Sequence, residues 1–158
     1  MALLPDLRRF ARFLAGQHAD ADDLLQETVV RALAALSQYE PGTDMRAWTF
    51  TILRNAFYEQ LRRRKTEARA LAESSDLEEA RPPAQVAQMD FTDLQRALFA
   101  LSPLLREALI LVGAHGLSYE EAGRICGVPE GTIKARVSRA RHQLAQVIRD
   151  TPAAVAPQ

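Results

Sequence analysis

The segment SYEEAGRICGVPEGTIKARVSRARHQL, residues 118–144, constrains this chain more than any other. Ser118 with Glu121 three residues later has the form of a capping box, which opens a helix by satisfying its first free N–H groups. Gly127 suits the left-handed position that ends such a helix. A second helix then starts near Pro129 and runs to about Ile148. A short capped helix, a tight turn and a longer basic helix have the spacing of a helix-turn-helix over about residues 118–142. At 100° per residue, Ile133, Val137, Ala140, Leu144, Val147 and Ile148 share one apolar arc that should pack on earlier helices. Opposite them lie Ala135, Ser138, Arg139 and His142. Lys134 and Arg141 flank one edge, and Thr132 and Arg136 the other. A small residue and a hydroxyl at the centre permit close approach to a groove floor, and cationic flanks suit phosphates. A lone basic face is more often simply solvated; the capped scaffold helix and the turn shift the reading to duplex DNA. The stretch Gly127–Lys134 does not match a nucleotide-binding phosphate loop.

The rest of the chain has to be organised around that element. Glycine and proline are sparse among the 158 residues and no alternating strand pattern persists, so an all-α fold is expected. The stretch from Thr66 to Gln88 carries Glu73, Asp76, Glu78, Glu79 and the pair Pro82-Pro83 without a sustained apolar face, which reads as a linker with helix at most at its start. The expected division is therefore a domain over 1–66, an acidic linker over 67–89, a second domain over 90–150 and a disordered tail over 151–158. The net charge of zero hides an uneven distribution. Residues 1–70 hold eleven Lys and Arg against nine Asp and Glu, 71–95 hold one against six, and 96–158 hold eight against five. Two mildly basic ends are separated by an acidic middle, and binding follows local potential rather than the total.

In the first domain, helices are expected over about Pro5–Ala15, Ala21–Ser37 with Asp20 as N-cap, and Asp44 to about Lys65 or beyond. The second should bury Leu25, Thr28, Val29, Ala32, Leu33 and Leu36. Its opposite face carries Asp23, Glu27, Val30 and Ala34, with Leu24 and Arg31 at one edge and Gln26 at the other; an exposed valine among acids has the form of a protein-docking strip, although a single exposed apolar residue is ordinary. The third has two apolar faces, Met45-Trp48-Ile52-Ala56 and Phe50-Leu53-Phe57-Leu61. The wedge between them holds Ala47, Thr51, Arg54, Asn55, Tyr58 and Arg62. Aromatic and cationic side chains together suit melted nucleic acid; a core-capping tyrosine beside a solvated basic run would look the same. In the second domain, helices are expected over about Asp90–Leu101 and, after the cap Ser102 and Pro103 at the first helical position, to about Gly113.

Several classes are excluded or disfavoured. No nucleophile–base pair is apparent, so no catalytic residue is assigned and an enzyme is the least favoured reading. Cys126 has no disulfide partner and no metal-binding neighbours, and reads as a small buried residue; neither metal nor cofactor is expected. The N-terminal stretch has neither a long apolar core nor a cleavage site, and no stretch is long enough to span a bilayer, so a cytoplasmic location without membrane association is expected.

Taken together, DADDLLQETVVRAL, PGTDMRAWTFTILRNAFYEQLRRRK and REALILVGAHGLSYEEAGRICGVPEGTIKARVSRAR, in that order, resemble the extracytoplasmic-function (group IV) RNA polymerase sigma factors, and in wording the alphaproteobacterial general-stress-response branch. The resemblance implies two small helical domains, a sigma region 2 bundle of three to four helices and a four-helix sigma region 4 with the helix-turn-helix. It implies a promoter-specificity subunit that docks on core RNA polymerase through Asp22, Asp23, Gln26, Glu27 and Val30. A loop over Tyr39–Met45, including Thr43, Asp44 and Met45, would hold a flipped −10 base, while Arg46, Trp48, Arg54, Asn55, Tyr58 and Arg62 would support melting and contact the strand. Thr132, Lys134, Ala135, Arg136, Ser138, Arg139, Arg141 and His142 would read the −35 element. Ala135 departs from the family, which often has serine there, and lacks the hydroxyl that would make one phosphate or base contact. The implied partners are core polymerase, promoter DNA and a small helical anti-sigma factor, and the free protein is expected to be a monomer. The acidic linker would mimic nucleic acid in the polymerase channels. A sigma-like decoy that sequesters an anti-sigma factor, and a plain helix-turn-helix regulator, are the competing readings. A decoy of that type normally carries a receiver domain for which there is no room, and a plain regulator leaves the first domain unexplained.

Overall fold

The structure, a computed structural model, describes residues 3–16, 18–74 and 93–150. Among them are seven α-helices, a 3₁₀ turn and a π turn, and no strand. The chain divides into two units, 1–89 and 90–158. The tail 151–158 and most of the acidic linker, with Asp76, Glu78 and Glu79, lie outside the described residues.

The first unit packs three helices on one another: α1 (Leu3–Ala15), α2 (His18–Ala34) and α3 (Met45–Ser74). Leu7, Phe10, Ala11 and Leu14 of α1, Ala21, Leu24, Leu25 and Thr28 of α2, and Phe50, Leu53, Ala56 and Phe57 of α3 form its core. The rings of Phe10 and Phe50 meet with centroids 4.9 Å apart. Gly16 takes φ 80° between α1 and α2, a left-handed turn that glycine adopts without steric cost. That turn lets α2 begin at His18, so Asp20 lies in its first turn rather than at the N-cap, and its carboxylate meets Arg64 at 3.4 Å. Thr28 donates its hydroxyl hydrogen to the Leu24 carbonyl, which is how a fully buried hydroxyl is satisfied.

Three expectations for this unit are corrected. Leu24, placed at the edge of the exposed face, is fully buried, because α2 packs against both α1 and α3 and so buries a wider arc. Leu33 and Leu36, placed in the core, are 66% and 51% exposed. The helix ends at Ala34 and turns through the 3₁₀ segment Leu36–Gln38, and here α1 and α3 leave an open groove instead of closing over it. Of the two apolar faces of α3, only Phe50-Leu53-Phe57 with Ala56 is deeply buried; Met45, Trp48, Ile52 and Leu61 are half-buried. Helix α3 also runs on through Ser74, with residues 62–73 exposed.

The second unit comprises α4 (Asp93–Ala100), α5 (Pro103–Leu109) continued by the π turn Ile110–Ala114, α6 (Tyr119–Cys126) and α7 (Glu130–Asp150). Residues 90–92, expected to open the first of these, lie outside the described residues. Ser102 caps α5 by accepting from the Leu105 N–H at 3.4 Å, and Pro103 follows in the first turn. The chain then widens its spiral, the His115 N–H reaching the Ile110 carbonyl at 3.0 Å. Ile133, Val137 and Ala140 of α7 are buried, but Leu144 and Val147 are half-buried and Ile148 is 53% exposed. The buried positions of α7 therefore stop at Ala140, and its apolar arc outlasts its cover. Cys126 is buried, as expected of a small apolar residue.

Candidate nucleic-acid interface

The helix-turn-helix is built from backbone devices. The Ser118 hydroxyl accepts from the Glu121 N–H at 3.1 Å, and the Glu121 carboxylate accepts from the Ser118 N–H at 2.7 Å. Gly127 ends α6 at φ 68°, and the Val128 N–H bonds the Gly123 carbonyl at 3.0 Å. Gly123 itself went unnoticed in the sequence. A Cβ there would stand 2.7 Å from the Val128 carbonyl oxygen, so the turn can fold back onto α6 only if this position lacks a side chain. A glycine four residues before the turn glycine is the only sequence trace of it.

On α7 the structure exposes Lys134, Ala135, Ser138, Arg139, Arg141 and His142 together, while Thr132 and Arg136 are half-buried at the edge. That is the stripe expected from the helical wheel. One guanidinium nitrogen of Arg136, Nη1, is enclosed with no hydrogen-bond partner among the described residues. A phosphate oxygen or a base edge is the kind of acceptor it lacks.

In the first unit the expected site residues separate into groups. Asp44 caps α3: its carboxylate accepts from the N–H groups of Arg46 at 2.9 Å and Ala47 at 3.3 Å. The preceding loop is fastened to itself, with the Tyr39 hydroxyl donating to the Thr43 carbonyl and the Thr43 hydroxyl to the Glu40 carbonyl, both at 2.6 Å. Trp48 packs against Tyr39, centroids 5.2 Å apart. Arg46 is turned towards α1, 3.5 Å from Asp6 and over the Phe50 ring. Arg54 stacks over Tyr58 at 4.7 Å, with Asn55 and Arg62 exposed on the same side of the helix. Guanidinium on phenol makes a flat, cationic platform of the sort on which an unstacked base rests.

The acidic strip of α2 is likewise divided. Asp22, Asp23, Gln26 and Val30 are exposed, Val30 by 65%. Glu27 is engaged within the unit: Arg31 donates to it at 2.6 Å and Gln60 at 2.7 Å. Arg31 also donates to Glu59 at 2.7 Å, tying α2 to α3. The Gln60 amide, with Arg31, holds the Glu27 carboxyl below the usual carboxylate range despite burial, and Arg31 does the same for Glu59. Beside this network the exposed Leu33 and Leu36, with Leu4, Leu7, Val29, Ala32, Met45 and Trp48, line an apolar groove of about 190 Å³. The misplacement of Leu33 and Leu36 hid this groove from sequence reading.

A family model described as Sigma-70 region 2 matches residues 1–67, and one described as Sigma-70, region 4 matches residues 91–144. The ECF RNA polymerase sigma factor EcfG of Rhodopseudomonas palustris is 46% identical over 148 residues, 94% of this chain and 82% of the relative. Among solved structures, the sigma factor RpoE of Bartonella quintana, in complex with the anti-sigma factor NepR, is similar with a TM-score of 0.78 and 45% identity over 95% of this chain and 94% of the other. A chain of the PhyRSL–NepR complex from Sphingomonas sp. Fr1 is 22% identical with a TM-score of 0.62 over 98% of this chain and 90% of the other, a likeness of fold alone.

Proposed function

Because the chain belongs to the extracytoplasmic-function sigma factors, we propose that its two units form a bipartite promoter grip. The protein is a sigma factor that directs core RNA polymerase to promoters under the control of an anti-sigma factor, within the general-stress-response branch represented by EcfG and RpoE. It works in the cytoplasm and carries no chemistry of its own; DNA opening draws on binding energy, contacts to unstacked bases offsetting their unstacking.

The −35 element is read by the α7 stripe centred on Ala135, Ser138 and Arg139. Lys134, Arg141 and His142 flank it, and Arg136 supplies a guanidinium poised at its edge. This exposed stripe, standing on a buried scaffold, is the observation that carries the proposal. The −10 strand is held by Arg54, Asn55, Tyr58 and Arg62. Asp44 and Arg46 act one step back, by capping α3 and bracing it on α1. Core polymerase docks on Asp22, Asp23, Gln26 and Val30. Glu27 shapes that face through Arg31 and Gln60. A small helical anti-sigma factor silences the protein by covering the same face and the adjoining apolar groove.

The test is run-off transcription with sigma-free core polymerase and a stress promoter. A transcript that depends on the added protein is expected, and its absence would overturn the reading in favour of a decoy or a plain regulator. Within that assay Arg139→Ala should weaken −35-dependent binding by about 1–3 kcal/mol, with relaxed preference at one base position. Equal loss on all sequences would make Arg139 a phosphate contact instead.

A further inference from the structure

Helix α1 carries Arg8, Arg9 and Arg12, all exposed. Its single acid, Asp6, is engaged by Arg46 of α3 at 3.5 Å. Among the described residues, none of these three arginines has an ion pair or a side-chain hydrogen bond. Like charges three and four positions apart weaken a helix rather than support it. Arg12 at least lies in the last turn, where a cation suits the helix dipole. Arg9 has no such use, and contacts elsewhere on α1 fix its direction. Asp6 meets Arg46 and Phe10 meets Phe50, so α1 and α3 run side by side in the same direction. At 100° per residue, Leu7 and Arg9 lie about 80° to either side of that contact line on α1. Leu7 turns to Thr28 and Val29 of α2, with which it lines the apolar groove. Arg9 therefore turns the other way, to the outer side of the α1–α3 seam. On α3, Gln60 and Arg54 lie about 60° to either side of the same line. Gln60 meets Glu27 of α2, so Arg54, and Tyr58 beyond it, turn to the outer side as well. Arg9 and the Arg54–Tyr58 platform thus share one surface, with the half-buried Phe13 between Arg9 and the seam. Arg8 lies about 180° from the contact line and points elsewhere.

We propose that Arg9 holds a phosphate of the melted strand whose bases rest on Arg54 and Tyr58, a contact that the N-terminal helix makes across the seam. This rests on the assignment of Arg54 and Tyr58 to the −10 strand. With Asp6 level with Arg46 and Phe10 with Phe50, Arg9 stands about 7–8 Å before Arg54 along the helix direction. A base stacked on the platform leaves its sugar-phosphate chain to run along the surface, and a guanidinium at that offset is placed to bond a phosphate oxygen. The surface suits nucleic acid better than protein. Its exposed side chains are cationic and polar, whereas the exposed Leu4, Leu33 and Leu36 line the groove beside α2. A phosphate is the same on every nucleotide, so the contact adds affinity without reading sequence. Arg12, about 60° further round α1, adds a weaker attraction at longer range.

The experiment uses full-length protein with core polymerase and the single-stranded −10 element of a promoter that the wild-type holoenzyme transcribes. Arg9→Gln should lower affinity for the strand about fivefold at low salt and reduce the logarithmic salt slope by about 0.7, the loss of one phosphate contact. Arg9→Lys should keep most of the affinity, because a phosphate needs the charge more than one head group. Arg12→Gln should cost about twofold, and Arg8→Gln nothing. Neutral methylphosphonate linkages, introduced one at a time along the strand, locate the contact. One linkage should weaken wild-type binding and have no further effect on Arg9→Gln, the non-additivity of two groups that touch. Binding to −35 duplex and the Trp48 melting transition should stay as in wild type. Equal loss from Arg8→Gln, or linkage effects that simply add to that of Arg9→Gln at every position, would make α1 a diffuse cationic field and overturn the contact. Weaker assembly with core polymerase at unchanged strand affinity would make α1 a protein-docking face and overturn it too. No loss from Arg9→Gln while Tyr58→Ala weakens strand binding overturns the contact alone. Failure of the strand assignment beneath it has a different signature: Tyr58→Ala would then leave strand affinity unchanged, whatever Arg9→Gln does.

Discussion

The two units hold their exposed helix faces in place in different ways. The second relies on neighbours in sequence: Ser118 with Glu121, Ser102 with Pro103, and Gly123 and Gly127 around the turn, all within a few residues of what they stabilise. The first relies on distant partners. Arg31 meets Glu59, Gln60 meets Glu27, and Arg46 meets Asp6, pairs separated by 28 to 40 residues. A face held by local backbone devices leaves its own side chains exposed for contact, and the α7 stripe is accordingly intact. A face held by side-chain networks spends some of its charged residues on holding itself together, and Glu27, Asp44 and Arg46 are used that way. The residues proposed for contact in the first unit are thus interleaved with side chains that hold the unit together.

The most severe way to test this comparison is to break each core separately. Trp48, the single tryptophan, reports on the first unit alone. Phe50→Ala removes a ring with no solvent exposure that packs on Phe10, and should cost that unit about 3–5 kcal/mol. The Trp48 fluorescence transition should then drop well below a second melting step seen by far-ultraviolet circular dichroism. A single coincident shift would show that the units melt together and that the contrast between them has no thermodynamic meaning. Gly123→Ala should do the converse. Its Cβ would collide with the Val128 carbonyl, backbone that cannot swing aside, so the second unit should lose about 1–3 kcal/mol while the Trp48 transition stays in place.

The same contrast governs what could be read from the sequence. The capping box, the turn glycine and the α7 stripe were all legible, because each is written within a few positions and follows from helix periodicity. In the first unit periodicity found α3 and its polar wedge but misassigned α2, where Leu24 is buried and Leu33 and Leu36 are not. Periodicity locates an apolar arc; it does not say how many helices cover it or where that cover stops. On α7, for the same reason, Leu144 and Val147 are only half-buried and Ile148 is exposed. Nothing nearby in sequence announces Gln60 as the partner of Glu27 or Asp6 as the partner of Arg46, so these pairings are not legible from periodicity.

A smaller effect is expected from Ser118→Ala. Removing the hydroxyl frees the Glu121 N–H at the start of α6, and should cost the second unit about 1 kcal/mol. Because the cap is local, binding to −35 duplex should weaken only as far as the unit is less folded; at low temperature, affinity should match wild type. A loss of affinity with no loss of stability would mean that Ser118 touches DNA, and that the second unit also mixes braces with contacts.

The smallest effect tests the network of the first unit through pH. The Glu27 carboxyl is held below its ordinary value of 4.5, chiefly by the Gln60 amide and further by Arg31. A carboxyl depressed in the folded state adds stability that is complete above its unfolded pKa and is lost as pH falls through the folded one. Between about pH 5 and pH 3 the wild-type Trp48 transition should therefore fall faster than that of Glu27→Gln, which has no charge to lose there. The side chains of Glu27 and Arg31 are 31% and 34% exposed, so solvent screening limits the difference to about 0.5 kcal/mol. Added salt at about 1 M should shrink it further without abolishing it, because the part due to the Gln60 hydrogen bond is not a long-range charge interaction. If wild type and Glu27→Gln respond to acid in parallel, Glu27 is not a brace, and its place returns to the polymerase-docking face beside Asp23 and Gln26.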